Sequence, residues 1–453
     1  MASRVQRPNL LFVFPDQMRA EAMGCAANPD VVTPSLDALA ASGVQFTHAI
    51  ANCPVCTPSR GTILTGRYPL AHRAASNDLP LPETERTFGE ILSNAGWRTG
   101  YIGKWHLDGV PRDGFTPPGP RRHGFEYWAA WNCAHAYFQA RYFRDLPQAI
   151  TISGYEPDGQ TDLALDFIGA QRSEPWALFL SWGPPHPPYR AVPETDRQRY
   201  NPEALTLRGN APHAERQVLA DYYAAITALD RDFGRLMALL DELHIAEHTL
   251  VVFTSDHGDM LFSHDLVEKQ KPYDEAIRVP LIMRLPETIP AGKRSPALIT
   301  TADLLPTILG LLGVDSPGGV QGQDLSAFAR GREDAGPASA FLLNPIPVDH
   351  PADIGQGEWR GVRTPRYTYA AGLEGPWLLF DNDRDPMQLH NLVDDAGYAD
   401  VQADLRQQLR RWLDRTADPF VPWAEHVRLL DAVEVWNRRE RVMHPARPRL
   451  VEA

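Results

Sequence analysis

Short apolar runs alternate with segments of helical periodicity along most of the chain. The runs predict buried strands and the periodic segments predict helices, in the order typical of an α/β protein with a mostly parallel central sheet flanked by helices. The predicted strands are 9–14, 98–102, 176–182 and 250–254. The predicted helices are 34–42, 87–95, 162–171, about 219–240 and 302–312.

The pattern changes after a Gly/Pro-rich connection at 316–322. WRGVRTPRYTYAAG and WLLFDNDRDPMQLHNL are typical of short antiparallel strands, and a helix is predicted at 403–416. We therefore expect a larger α/β domain at 1–335 and a smaller C-terminal α+β domain at 336–453. The tail from Trp423 onward fits no element, and either wraps the body or contacts another subunit.

Composition places the chain among ordinary soluble globular proteins, with 43% hydrophobic and 22% charged residues. A net charge of −13 argues against nucleic-acid partners and requires local positive charge wherever an anion binds. No apolar window is long enough to predict a membrane span. The N-terminal apolar run is short and ends at Pro15, so we expect a first strand rather than a signal peptide, and a cytoplasmic location.

Reactive side chains follow four of the predicted strands: Asp16, Gln17, Lys104, His106, His186, Asp256 and His257. Taken singly, each is as typical of a turn, a helix cap or a satisfied surface residue. Because ligands bind at the carboxyl ends of parallel strands, together they predict one site. The oxygen-rich set Asp16, Gln17, Asp256 and His257 favours Ca²⁺, Mg²⁺ or Mn²⁺ over zinc.

Two of the four cysteines lie in CPVCTPSRGTILTGR, residues 53–67. Their C-x-x-C spacing is typical of a redox pair or half of a zinc site, and four cysteines make no disulfide framework. A structural zinc site would need a second pair, which Cys25 and Cys133 do not provide. A cysteine phosphatase loop requires an arginine at a fixed spacing after its cysteine. At that spacing Cys53 is followed by Ser59 and Cys56 by Thr62, so the cysteine phosphatases are excluded.

The remaining pattern, C-T-P-S-R followed by T-G-R, matches every fixed position of C-x-P-S-R-x-x-x-x-T-G-R. In this the chain resembles the type I, formylglycine-dependent sulfatases of the alkaline phosphatase superfamily. The resemblance extends through PNLLFVFPDQ, GYIGKWHLDG, SDHGD and EKQKPYDEAIRVPLI. It implies an alkaline-phosphatase-like fold and the hydrolysis of sulfate monoesters.

The resemblance also implies that a formylglycine-generating maturation enzyme oxidises Cys56. The hydrated aldehyde would attack sulfur with one hydroxyl and expel sulfate with the other. It further implies one divalent cation, Ca²⁺ before Mg²⁺ or Mn²⁺, held by Asp16, Gln17, Cys56, Asp256 and His257. Many members have a second aspartate where this chain has Gln17, which can still offer a carbonyl oxygen.

Catalytic roles follow from the same resemblance. Arg60 and Lys104 would orient the formylglycine and neutralise the sulfate, and His106 would be the base that assists sulfate elimination. Lys269 and His186 would bind the sulfate and protonate the leaving oxygen.

Two assignments depend on position within the matched segments. Lys269 is preferred to Lys271 because of its spacing before Tyr273. Asn77 lies where several relatives, including choline sulfatases and phosphonate monoester hydrolases, place an asparagine that contacts substrate. An ordinary turn in SNDLP accounts for Asn77 equally well.

The leading hypothesis is a sulfatase acting on a small aryl, choline-like or sugar sulfate. A phosphonate monoester or phosphodiester hydrolase of the same superfamily is the alternative, although Lys104 and His106 in GKWH favour the sulfatase branch. A non-enzymatic binding protein and a C-x-x-C redox protein are the other hypotheses. We expect no nucleic-acid or membrane partner, and a homo-oligomer remains open.

Overall fold

The computed structural model describes residues 7–171, 174–333, 336–348, 357–447 and 449–451. Its first ten strands are β1 (Asn9–Val13), β2 (Val44–Ile50), β3 (Arg98–Lys104), β4 (Tyr127–Trp131), β5 (Arg141–Tyr142), β6 (Ile150–Thr151), β7 (Trp176–Ser181), β8 (Thr249–Thr254), β9 (Leu281–Arg284) and β10 (Lys293–Thr300). All except the β5–β6 pair form one sheet, in the order β10-β2-β9-β8-β1-β7-β3-β4. Only β9 is antiparallel to its neighbours, so the mostly parallel sheet is confirmed.

Ten α-helices lie along the same part of the chain, counted over its described residues: α1 (Pro34–Ser42), α2 (Cys56–Thr65), α3 (Pro69–His72), α4 (Phe88–Asn94), α5 (Glu156–Ala170), α6 (Glu194–Arg197), α7 (Arg216–Glu242), α8 (Asp274–Ile277), α9 (Leu304–Leu312) and α10 (Ser326–Ala329). They cover both faces of the sheet. Successive residues of β1 show this, since Leu10 and Phe12 pack with α4 and α9, while Leu11 and Val13 pack with α1, α5 and α7.

The predicted strands and helices of this region all occur, with shifted ends. The helix expected at 162–171 begins at Glu156, with Pro157 in its first turn. Strands β2, β4, β9 and β10 of the central sheet were not predicted, and neither was α2. All ten residues of α2 are buried, so the helix has no polar face that could give its sequence a helical period.

Four antiparallel strands form a second sheet: β11 (Ala340–Asn344), β12 (Trp359–Arg363), β13 (Tyr367–Gly372) and β14 (Gly375–Asp381). Helix α11 (Ala399–Thr416) packs on it, and the expected small C-terminal antiparallel sheet is confirmed. Residue 335, at the expected boundary, lies outside the described residues, and the division into two domains stays a prediction. The two parts share a core, because Phe341 packs with Cys53 and Tyr68.

The unassigned tail forms two helices, α12 (Trp423–Leu429) and α13 (Val433–Met443), that wrap the body. Val427 and Trp436 pack with Ala75, Leu79 and Ile346. In the described parts of the chain, no helix combines the length and apolarity needed to cross a bilayer.

Gly103 sets how closely β3 approaches β7. Its φ is +101°, and a Cβ there would lie 1.9 Å from the carbonyl oxygen of Ser181. We predict that Gly103→Ala lowers the free energy of unfolding by about 3 kcal/mol, combining an unfavourable φ with overpacking. Urea denaturation measures the loss. Gly313→Ala is the control, because φ is +71° there, in the left-handed helical region, and nothing lies within 4 Å, so it should cost only about 1 kcal/mol. Equal losses would contradict the steric argument.

Candidate active site

Cys56 is the first residue of α2, and its side chain points to the carboxyl edge of the central sheet. Its Sγ lies 3.2 Å from His257 Nε2 and 3.8 Å from Asp16 Oδ1. Burial and the Asp16 carboxylate raise the pKa of the Cys56 thiol. Neighbouring cationic groups outweigh both effects and lower that pKa well below its ordinary value: Lys104, Lys269 and His257.

Arg60, one helical turn after Cys56, is buried and fixes α2 to the sheet. Its Nε lies 3.0 Å from Asp256 Oδ2 and one terminal nitrogen lies 3.2 Å from Asp16 Oδ2. The other terminal nitrogen donates to the Lys104 carbonyl at 2.8 Å and to the Ser181 hydroxyl at 2.7 Å. A buried guanidinium is tolerated only with such complete pairing.

In both Asp16 and Asp256, the two carboxylate oxygens face different groups. Oδ2 of each faces Arg60, and Asp16 Oδ2 also pairs with Lys104 Nζ. Oδ1 of each faces His257 Nε2, at 3.7 Å from Asp16 and 3.9 Å from Asp256. Burial raises the pKa of Asp16, but its cationic neighbours, Lys104 first and then Arg60 and His257, lower it well below its usual value. That carboxylate is therefore charged.

Asp16, Cys56, Asp256 and His257 each present one ligand atom, and the four atoms lie within 4.8 Å of one another. All four residues are buried. Burial and the Asp16 carboxylate raise the pKa of Asp256, which is the mark of two acids placed close together. Two carboxylate oxygens, an imidazole and the Cys56 position are a donor set that fits a divalent cation.

Gln17 lies beside this group with a left-handed backbone, at φ +68°. Its backbone N–H donates to Asp256 Oδ1 at 3.0 Å and its amide nitrogen donates to Asp259 Oδ2 at 2.8 Å. Its amide oxygen accepts from Lys269 Nζ at 2.5 Å. The oxygen therefore lies at the site, and its role as a ligand stays a prediction.

Lys269 and His186 form a pair, with Nζ 2.9 Å from Nε2. Burial and the nearby Lys269 charge lower the pKa of His186 well below its usual value. Burial lowers the pKa of Lys269, but Cys56 and Asp16 raise it more, so the shift is upward. The shared proton therefore resides on the lysine. Lys271 Nζ lies elsewhere, 5.9 Å from the ring centre of Trp377.

His106 is held by a residue that the sequence did not indicate. Its Nε2 lies 3.1 Å from Asp78 Oδ1, and Arg112 binds both oxygens of Asp78 at 2.8 Å. Burial lowers the pKa of His106, but Cys133 and Asp78 raise it more, to about 10. The only sequence signal for Asp78 was its place next to Asn77 in SNDLP.

Asn77 accepts a hydrogen bond from the Thr57 backbone N–H at its Oδ1, 2.9 Å away. This contact supports the first turn of α2, where backbone N–H groups have no partner inside the helix. The predicted contact between Asn77 and substrate stays a prediction.

The two cysteines of the C-x-x-C face different surroundings. Cys53 is buried in an apolar cluster with Val55, Tyr68 and Phe341, and burial raises the pKa of its thiol. Both cysteines are free thiols. Cys56 alone belongs to the polar group, so the arrangement resembles a nucleophile site rather than a paired dithiol.

Comparison with known proteins assigns the chain to a family. The family model described as Sulfatase matches residues 8–314. The model described as N-sulphoglucosamine sulphohydrolase, C-terminal, matches residues 263–415. The chain belongs to the sulfatase family of the alkaline phosphatase superfamily and is a sulfuric ester hydrolase.

Among its relatives is the ulvan-active sulfatase of Formosa agariphila, 38% identical over 424 residues, with 91% of this chain and 82% of the relative covered. The N-acetylglucosamine-6-O-sulfatase of Bacteroides thetaiotaomicron is 25% identical over 492 residues and covers 89% of this chain and 86% of the relative. The crystal structure of the yidJ sulfatase of Bacteroides fragilis matches with a TM-score of 0.85 at 30% identity, covering 93% of this chain and 98% of that one.

The fold is also shared by a phosphonate monoester hydrolase of Agrobacterium radiobacter. That structure matches with a TM-score of 0.74 at 23% identity and covers 90% of this chain and 96% of that one. At this identity the likeness shows a shared fold alone.

The clustered donor set generates a prediction about cations. We expect Ca²⁺ at 100 times its dissociation constant to raise the free energy of unfolding by about 2.7 kcal/mol over protein in EDTA. Urea denaturation measures the increment, with Mg²⁺ and Mn²⁺ run in parallel. Asp256→Asn should abolish it, whereas Asp232→Asn, which changes a buried acid on α7 outside the group, should keep it. If Ca²⁺ still raises the free energy of unfolding of Asp256→Asn, the cation binds outside this group.

Proposed function

We propose that this chain hydrolyses sulfate monoesters of saccharides through a formylglycine formed from Cys56, with one divalent cation bound beside it. The observation that carries the proposal is the position of Cys56, at the start of a buried helix, within reach of Asp16 and His257. The matching C-x-P-S-R-x-x-x-x-T-G-R sequence supports the modification.

The cation would be held by Asp16, Asp256, His257, the modified residue 56 and the amide oxygen of Gln17. Ca²⁺ is our first choice, because oxygen donors dominate the set and the carboxylates are fixed by Arg60. When bound, such a cation lowers the pKa of a hydroxyl on residue 56 and stabilises negative charge on sulfate oxygens.

Formylglycine, once hydrated, supplies both the attacking hydroxyl and the second hydroxyl whose collapse to the aldehyde expels sulfate. The chain's own residues prepare these events. Lys104 and Lys269 lie beside Cys56 and would neutralise the sulfate oxygens. We assign the base role to His106, which Asp78 orients. Because its pKa is raised to about 10, His106 has to lose its own proton before it accepts that of the second hydroxyl, and this step should become faster toward alkaline pH.

The leaving oxygen requires a proton, and the Lys269–His186 pair would supply it. In the free protein the proton resides on Lys269 Nζ, 2.9 Å from the neutral imidazole. We propose that Lys269 donates directly or through His186, which then returns to its neutral form.

A saccharide sulfate is favoured over aryl and choline-like sulfates by the relatives, one of which is an N-acetylglucosamine-6-O-sulfatase. The proposed maturation enzyme has to reach Cys56 before the chain folds, because this side chain is only 1% exposed in the folded protein.

Hydrolysis of phosphonate monoesters is the second candidate, favoured by the shared fold. The sulfatase reading is preferred because the family model and the relatives that cover most of the chain are sulfatases. Both reactions require the same nucleophile, so the two candidates differ in substrate and not in the role of Cys56.

The reaction class can be measured on matured protein. We predict a higher kcat/KM for an aryl sulfate than for an aryl phosphonate monoester, and loss of both activities in Cys56→Ala. Cys53→Ala is the matched control and should stay active, because Cys53 packs in an apolar cluster.

The peptide containing Cys56 should be roughly 18 Da lighter than its thiol form. A preference for the phosphonate would select the second candidate. A Cys53–Cys56 disulfide in place of the lighter peptide would revive the redox hypothesis.

The leaving-group role of Lys269 generates a separate prediction. Lys269→Met should lower kcat on a sugar sulfate, whose leaving alcohol needs protonation, by roughly 100-fold more than on nitrophenyl sulfate. Lys271→Met is the control and should affect both esters equally, because Lys271 lies over Trp377. Equal losses on the two esters with Lys269→Met would limit Lys269 to binding sulfate.

A further inference from the structure

Asn77 and Asp78 connect two parts of the site that are distant in sequence. Asn77 Oδ1 accepts from the backbone N–H of Thr57, the residue after Cys56. Asp78 Oδ1 lies 3.1 Å from His106 Nε2. This pair of neighbouring residues therefore sets the position of the nucleophile helix relative to His106.

The chain at Asp78 has a conformation that needs support. Its φ is +66°, in the left-handed region that non-glycine residues seldom adopt. Arg112 binds both oxygens of the Asp78 carboxylate. The backbone carbonyl before Asp78 is bound by a residue of the C-terminal tail.

That residue is Arg439, on α13. Its Nε donates to the Asn77 carbonyl at 3.0 Å and lies 3.9 Å from Asp78 Oδ2. Its Nη2 donates to the Val348 carbonyl at 3.2 Å, and it pairs with Glu440. The side chain is 1% exposed, so these contacts form away from competing water.

The tail is attached around the same loop by packing. Trp436 and Val427 contact Ala75 and Leu79, which lie on either side of Asn77 and Asp78. Arg73 also donates to the Leu430 carbonyl. Apolar contacts thus hold α12 and α13 against the loop, and Arg439 makes the polar contact at its centre.

We propose that Arg439 is a positioning residue, which holds Asn77 and Asp78 so that the helix bearing Cys56 and the His106 imidazole keep their reactive geometry. The inference rests on the proposed roles of Cys56 and His106. Arg439 lies outside both ranges matched by the family models, which end at residues 314 and 415. It acts through Asn77 and Asp78 and does not itself contact residue 56.

The test compares Arg439→Lys and Arg439→Met with Arg438→Met on matured full-length protein. Arg438 is the matched control, an exposed arginine on the same helix. Lysine keeps the charge beside Glu440 but cannot reproduce the planar set of contacts. We expect Arg439→Lys to lower kcat roughly tenfold and Arg439→Met roughly 100-fold, with KM changed less than about twofold, because small misplacements of reacting groups are costly. Arg438→Met should match wild type.

Two controls keep the outcome interpretable. Rates are divided by the fraction of protein that carries formylglycine at residue 56, measured by mass spectrometry. A variant that matures incompletely is then not mistaken for one whose reacting groups are misplaced. Each variant is assayed at a temperature below the midpoint of its own thermal unfolding. If Arg439→Met fails to fold, Arg439→Lys decides the question.

The inference is overturned if Arg439→Lys has the same kcat as the wild type, or if the Arg439 variants differ from the wild type only by a higher KM. Failure of the proposed function can be told apart from failure of this inference, because the wild-type protein itself would then lack sulfatase activity. If wild type hydrolyses only the phosphonate ester, the same Arg439 comparison is made on that ester.

Discussion

The buried guanidinium of Arg60 is the contact on which the site depends. Four consecutive strands of the sheet, β8, β1, β7 and β3, supply its partners at or just after their carboxyl ends: Asp256, Asp16, Ser181 and the Lys104 carbonyl. An unpaired buried cation is very costly, so α2 has essentially one position in which Arg60 is satisfied. Because Cys56 is one turn earlier on that helix, the same pairing places the proposed nucleophile.

This pairing also explains how an acidic chain could form the proposed site for the sulfate group. Arg60 and Lys104 occupy one oxygen of Asp16, and Arg60 occupies one oxygen of Asp256. The other oxygen of each faces His257 and Cys56. The carboxylates are therefore oriented without being fully neutralised, and a cation can bind on the side where the sulfate has to approach.

The sequence predicts those strands and helices in which the apolar residues are the buried ones. Strands β1, β7 and β8 are continuous apolar runs, because helices cover both their faces. Strand β2 was missed because Thr47 and His48 interrupt its apolar run, and both are only half-buried. For the site, the strand-end rule and the family motif brought Asp16, Lys104 and Asp256 to one edge. Neither could indicate Asp78, which lies in a loop.

The tail shows why such loops resist sequence prediction. The buried face of α13 consists of Trp436, Arg439 and Glu440, and two of these three residues carry charge. By its polarity, NRRER is typical of a solvated surface and not of a helix with a packed face. The partner of Arg439 in the site loop, Asn77, is 362 residues away, so no local pattern can predict this contact. The charged residues that conceal this helix in the sequence are the ones that join it to the site.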